Sequence, residues 1–171
     1  STGQGGAILT NSHELARKVK LFKDFGRTSG GQDFHESIGL NLKFTELQAA
    51  VGLAQMSDIV RRVQRKKDIY HFYSDNIKND SIELLKNDTT KTAPWFYEVK
   101  TKRKQALQDY LIENGVGCRS VYPPLNTQEA IKEPGHYPNS HKHSDQTLWI
   151  PSSVQISQSD LEYIAEVLNK F

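Results

Sequence analysis

Gly39-Leu40-Asn41-Leu42-Lys43-Phe44-Thr45-Glu46-Leu47-Gln48-Ala49-Ala50 is the stretch that decides how this 171-residue chain folds. Thr45 and Gln48 have the spacing of a capping box, so a helix begins there. Asn41 and Lys43 sit on the loop that leads into it. A helix N-terminus carries unpaired N–H groups and partial positive charge, which attract anions. An amide and an ammonium beside it suit a phosphate-bearing ligand. A loop that merely packs, with Lys43 in solvent, accounts for the same residues. Ala49, Ala50, Gly52 and Ala54 are small enough to let another backbone approach.

Downstream, the apolar period continues. Leu47, Val51 and Ala54, then Ile59 and Val63, then Tyr70, Tyr73 and Ile77 predict one long helix from 45 to 78. The basic run Arg61-Arg62-Val63-Gln64-Arg65-Lys66-Lys67 lies inside it and reads as a solvated face, with phosphate binding as the alternative.

Upstream, residues 27–43 read as an ordered loop. Ser29-Gly30-Gly31 supplies flexibility, and Phe34, His35, Ile38 and Leu40 are too bulky for a linker. Before it, Asn11 with Glu14 predicts a helix start, Leu15, Val19 and Phe22 its apolar face, and Gly26 its C′ residue. Ala7-Ile8-Leu9 predicts a brief buried strand after the glycine-rich Thr2-Gly3-Gln4-Gly5-Gly6, which is a turn or a phosphate cradle.

The second half alternates. Ile82–Leu85, Ala93–Val99 and Val116–Val121 read as strands, Lys102–Asn114 as a helix with Leu107 and Leu111 inward, and 126–147 as polar and irregular. Trp149-Ile150-Pro151 is a short buried segment. Ser157 and Asp160 form another capping box ahead of a helix whose face is Leu161, Ile164, Ala165 and Leu168. Strands interleaved with helices, several of them short, predict an α+β or α/β module from about residue 80 onward.

Composition narrows the function. With 22 basic and 20 acidic residues the net charge is +2, too balanced for a dedicated nucleic-acid binder. The 36% hydrophobic content is lean, which points to a core completed by another chain or by sequence outside this one. No apolar run approaches the ~18 residues of a membrane span, and the start has no signal-peptide character, so a cytoplasmic protein is expected. Cys118 is alone and falls in an expected strand, as a small buried hydrophobe does. His141 and His143 have no cluster of acidic or Cys ligands around them, so no metal site is expected.

Thr2-Gly3-Gln4-Gly5-Gly6-Ala7, followed by Gly39-x-Asn41-x-Lys43-x-Thr45-Glu46-Leu47-Gln48-Ala49-Ala50, resembles the DegT/DnrJ/EryC1/StrS sugar aminotransferases. Arg119-x-x-Tyr122-x-Pro124-Leu125 and Leu148-x-Ile150-Pro151 match two further motifs in order. The resemblance covers essentially the whole chain and corresponds to the second half of a complete member. It implies the pyridoxal 5′-phosphate fold type I (aspartate-aminotransferase-like) scaffold. Residues 1–78 would be the C-terminal part of the large cofactor-binding domain, ending in the connecting helix, and 79–171 the small α/β domain.

It further implies transfer of an amino group, commonly from glutamate, to a nucleotide-linked keto sugar. Such chemistry serves bacterial surface polysaccharide or antibiotic sugars. The lysine that holds the cofactor would lie upstream of Ser1, leaving no catalytic residue in this chain and the chain alone inactive. Asn41 would reach the cofactor phosphate of a neighbouring subunit. Lys43 and His35 would face substrate from the interfacial loop that also carries Phe34, and Tyr122 and Asn126 would form a substrate wall. A homodimer with shared sites, or a separate chain supplying the N-terminal half, is implied. Two departures stand out: Asn126 where His is common, and Asp24-Phe25-Gly26 where His-Gly is frequent. A dehydratase of the same family, with His in place of the upstream lysine, and a non-catalytic α/β binding module are the rivals.

Overall fold

The structure is a computed structural model that describes residues 2–28, 32–131 and 134–171. Ser1 and the Ser29-Gly30-Gly31 segment lie outside the described residues. The chain forms two compact units, 1–59 and 60–171.

The first unit contains helix α1 (His13–Lys23) and helix α2 (Glu46–Met56). The cap of α1 is Ser12, whose hydroxyl accepts the Leu15 N–H at 3.2 Å; it is not Asn11 as the spacing predicted. The capping box of α2 forms as expected. The Thr45 hydroxyl accepts the Gln48 N–H at 3.3 Å, and the Gln48 side-chain oxygen accepts the Thr45 N–H at 2.9 Å. Ala7-Ile8-Leu9 is neither strand nor buried: Ile8 is 67% and Leu9 93% exposed, and among the described residues no strand pairs with it.

The predicted long helix is two helices. α2 stops at Met56 and α3 runs Ile59–Asn76. At the break the Ser57 hydroxyl donates to the Ala54 carbonyl at 2.9 Å, a local bond that competes with the helical ladder. α3, expected to close the first region, packs within the second unit through Ile69, Tyr70 and Tyr73.

That unit is a four-stranded sheet of order β1-β2-β4-β3, with every neighbouring pair antiparallel. The strands are β1 (Glu83–Leu84), β2 (Tyr97–Lys100), β3 (Arg119–Ser120) and β4 (Thr147–Ile150). All but β4 are shorter than their apolar patterns; Pro94 has no N–H for a ladder, which limits the start of β2. Helices α4 (Lys104–Glu113) and α6 (Gln158–Lys170) join α3 against one face of the sheet. Leu107, Leu111, Leu161 and Leu168 meet Tyr97, Val99 and Leu148 there, all with no exposed surface. The Ser157–Asp160 capping box of α6 forms as expected.

α5 (Pro138–Gln146) lies in the stretch expected to be irregular. Its only buried residue is Ser144, so it carries no apolar period to detect, and Pro138 at its first turn supplies a pre-set φ. Cys118 is half-buried one residue before β3, and burial pushes its thiol pKa up. Arg65 and Lys66 depart from the solvated face expected of the basic run. Arg65 donates to the Ile156 carbonyl at 2.7 Å and Lys66 to the carbonyls of Trp95 and Ser152. No helix among the described residues is long and apolar enough to cross a membrane.

Candidate functional site

Helix α1 ends at Lys23 with Asp24 as its C-cap, leaving its last carbonyls without intrahelical donors. Gly26, at φ +75, donates its N–H to the Leu21 carbonyl at 2.7 Å. The C′ position is therefore Phe25, one residue before the glycine that the sequence pointed to, and it holds a left-handed φ of +56. That conformation is uncommon for a bulky residue and persists where surroundings over-determine it. They do so here: the Phe25 N–H donates to the Leu40 carbonyl at 3.1 Å, and the His35 Nδ1–H donates to the Phe25 carbonyl at 2.7 Å. Since a carbonyl only accepts, that bond fixes the proton of His35 on Nδ1.

Two glycines let the loop cross the helix end. A Cβ on Gly26 would stand 1.7 Å from the Ser37 carbonyl oxygen, and one on Gly39 would stand 2.3 Å from the Gly26 nitrogen. Beyond the crossing, Leu40 donates to Phe22 at 2.7 Å and Leu42 to Lys23 at 2.9 Å, and Asp24 pairs with Asn41 as an isolated antiparallel bridge. This short ladder sets where Asn41 is displayed, with its side chain exposed.

Asp24 ties the ladder electrostatically. Its carboxylate accepts from Arg27 at 2.6 Å and Lys43 at 2.9 Å. The Arg27 guanidinium, then the Lys43 ammonium, hold its pKa below the usual carboxylate range. Both cations stand over the Phe25 ring, Lys43 at 5.1 Å and Arg27 at 5.2 Å from its centroid. Asp24, noted in the sequence only as a departure, is thus the hub on which Lys43 is held. No pattern around Asp24 in the sequence announces this, because Lys43 is 19 residues away.

The glycine-rich turn meets the α2 start in the same unit. The Gln48 side-chain amide donates to the Gln4 carbonyl at 3.0 Å. Gly5 takes φ +149, and a Cβ there would come within 2.9 Å of the Phe44 ring. An open groove of about 1280 Å³ runs here, with Gly5, Gly6, Asn41, Lys43 and Gln48 in its lining. Two motifs more than thirty residues apart therefore build one concave surface, and His35 lies on the loop beside it.

Tyr122 and Asn126 belong to the second unit. Tyr122 is 62% exposed and sits edge-on to Trp149, with ring centroids 4.9 Å apart. Asn126 lies in a 3-10 turn, Leu125–Thr127, and its amide reaches His141 Nε2 on α5 at 3.4 Å. The imidazole next to position 126 thus comes from a helix that the sequence did not reveal.

Residues 1–169 match the model of the DegT/DnrJ/EryC1/StrS aminotransferase family. The chain belongs to that family. It is 30% identical, over 98% of its own length and 47% of the other's, to dTDP-3-amino-3,6-dideoxy-alpha-D-galactopyranose transaminase from Aneurinibacillus thermoaerophilus. It is 25% identical to dTDP-4-dehydro-2,6-dideoxy-D-glucose 3-dehydratase from Saccharopolyspora spinosa, over 100% of this chain and 45% of that one. Helicobacter pylori PseC, an aminotransferase involved in the biosynthesis of pseudoaminic acid, superposes with a TM-score of 0.87 at 22% identity, covering 99% of this chain and 49% of that one. The α/β fold is accordingly that of the fold type I aminotransferases, as the motifs implied. The chain spans about half the length of the curated relatives it matches.

Proposed function

We propose that this chain is the part of a pyridoxal phosphate-dependent aminotransferase that completes a shared cofactor and substrate site, the substrate being a nucleotide-linked keto sugar. The observation that carries this is the display of Asn41, an exposed amide held by the Asp24 bridge above a groove that the glycine-rich turn also lines. The donor set fits a phosphate group: an exposed amide beside the Lys43 ammonium, whose Asp24 partner is shared with Arg27.

When bound, pyridoxal phosphate supplies an electron sink for the carbon that gains or loses the amino group. The residues of this chain bind and orient. Asn41 donates to the phosphate of a cofactor held mainly by a neighbouring subunit. Lys43 and His35 contact the substrate from the same loop, and Tyr122 and Asn126 contribute further substrate contacts. No group in 1–171 is assigned the proton transfer, which the resemblance gives to a lysine before Ser1; the chain alone is then inactive. The same reading brings glutamate as amino donor, a homodimer or a separate chain carrying the other half, and a cytoplasmic setting.

In the complete protein, Asn41→Ala should weaken cofactor retention by ~1–3 kcal/mol, the penalty for a charged group left without its partner. Absorbance near ~420 nm after gel filtration with pyridoxal phosphate measures it. Unchanged retention removes the role of Asn41. The dehydratase relative supports a second reading, loss of a sugar hydroxyl in place of amination. Product analysis of the complete protein with glutamate separates the two: an amino sugar marks transfer, a deoxy keto sugar marks dehydration.

A further inference from the structure

Four aromatic rings of the second unit form a ladder that the proposed site does not use as a whole. Glu98, Trp149 and Arg119 are register neighbours across β2, β4 and β3, so their side chains share one face of the sheet. It is the face opposite the core residues Val99 and Leu148. Trp149 is buried, and its indole N–H donates to Glu98 at 3.0 Å. Phe96 lies parallel to Trp149 with centroids 3.9 Å apart and planes 6° apart. Trp95 stacks on Phe96 at 4.7 Å and 23°. Arg119 stands 5.6 Å from the rings of both Trp149 and Tyr122, closing the inner end. The outer end is open, with Trp95 75% exposed.

Trp95 is exposed but held. Its carbonyl accepts from Lys66 at 2.8 Å, and the same ammonium donates to the Ser152 carbonyl. Pro94 immediately before it is buried. A large indole fixed at the backbone, backed by two stacked rings and open on its far side, is a preformed stacking platform. Lys66, whose ammonium bonds the Trp95 carbonyl, places positive charge beside the open end.

We propose that the outer face of Trp95 stacks a nucleobase, an assignment that rests on the nucleotide-sugar reading above and deepens it by placing the base. A ring face offers stacking to any base, and the Lys66 charge beside it suits the phosphates that accompany a nucleotide. A sugar or an uncharged aromatic compound would use the platform without that cation.

The chain has two tryptophans, both in the ladder, so indole fluorescence reports on this site alone. Guanosine and uridine monophosphates titrated into the 171-residue chain should quench it saturably, while ribose 5-phosphate should not. Trp95→Leu should weaken nucleotide binding roughly 10-fold or more, read through the remaining Trp149, and Trp95→Phe should restore part of it. Circular dichroism of each variant checks that the fold is kept, as an exposed side chain predicts. Absence of saturable quenching by either nucleotide overturns the proposal, as does unchanged affinity in Trp95→Leu or equal binding of ribose 5-phosphate. Cofactor retention in Asn41→Ala involves no nucleotide, so either reading can fail while the other stands.

Discussion

Residues 60–171 bury Tyr73, Tyr97, Leu107, Leu111, Leu148 and Leu161 completely, whereas among the described residues of 1–59 the buried large apolar side chain is Leu21. Leu9 at 93%, Ile38 at 91% and Leu47 at 81% stand out in solvent. Yet both units carry good helical code: α2 and α6 each have a complete capping box. The stripe of α6 is buried and that of α2 is not. Capping and period specify that a helix forms; they do not specify what covers it. The second unit is held by burial, the first by backbone hydrogen bonds, two glycine crossings and the Asp24 ion pairs. Apolar surface of this extent is more than a self-contained unit leaves in solvent, which supports the proposal that this chain completes a larger site.

The sharpest way to break this comparison is to delete the same atoms from each unit. Leu111→Ala should cost about 2–5 kcal/mol, since it empties a fully buried position. Leu47→Ala should shift the stability of this chain by less than about 0.5 kcal/mol. Urea unfolding followed by circular dichroism measures both. Equal losses would mean that the first unit has a core of its own.

A smaller effect should come from Gly26→Ala. The added methyl meets the Ser37 carbonyl in a left-handed backbone, so a loss of about 1–3 kcal/mol is expected. It should be confined to the first unit: hydrogen exchange should speed up at the Leu40 and Leu42 amides, which bond to Phe22 and Lys23, and stay unchanged at Leu148 of β4. Faster exchange at Leu148 would show that the two units unfold together.

These contrasts also explain what could be read in advance. The Thr45 and Ser157 boxes, the inward faces of α4 and α6 and the motifs that carry the family are local patterns, legible residue by residue. α5 escaped because a helix that buries only Ser144 has no stripe. The strand expected at 7–9 failed because apolar side chains alone do not provide a pairing edge. At the candidate site, the types of Asn41 and Lys43 were legible, but their placement was not. It depends on Phe25 accepting a left-handed turn and on Asp24 reaching Lys43, both set by contacts between distant residues. The aromatic ladder was hidden for the same reason, since Trp149 is brought beside Phe96, and through it Trp95, only by the pairing of β2 with β4.

The finest test uses acid. Asp24 and Asp88 both have pKa values below the usual carboxylate range, for different reasons. Arg27 and then Lys43 lower Asp24, whereas the Thr90 hydroxyl and amide, then Lys91, lower Asp88. A carboxylate whose pKa is lower in the folded state contributes stability that is fully present above its unfolded value near ~3.9. That contribution is lost as pH falls through the folded value. Protonating Asp88 should relax only the turn at 88–91. Protonating Asp24 should release Lys43 and loosen the ladder that displays Asn41, because that one group joins the end of α1 to residues 41–43. Below pH ~4, amide exchange at Leu42 should therefore speed up more steeply than at Leu85, whose N–H bonds to Glu98 in the second unit. In Asp24→Asn that extra steepness should vanish, since the amide carries no charge to lose. An identical pH profile in the native chain and the variant would show that the ladder stands without its ion pairs, leaving the glycine crossing and the backbone bonds to place Asn41.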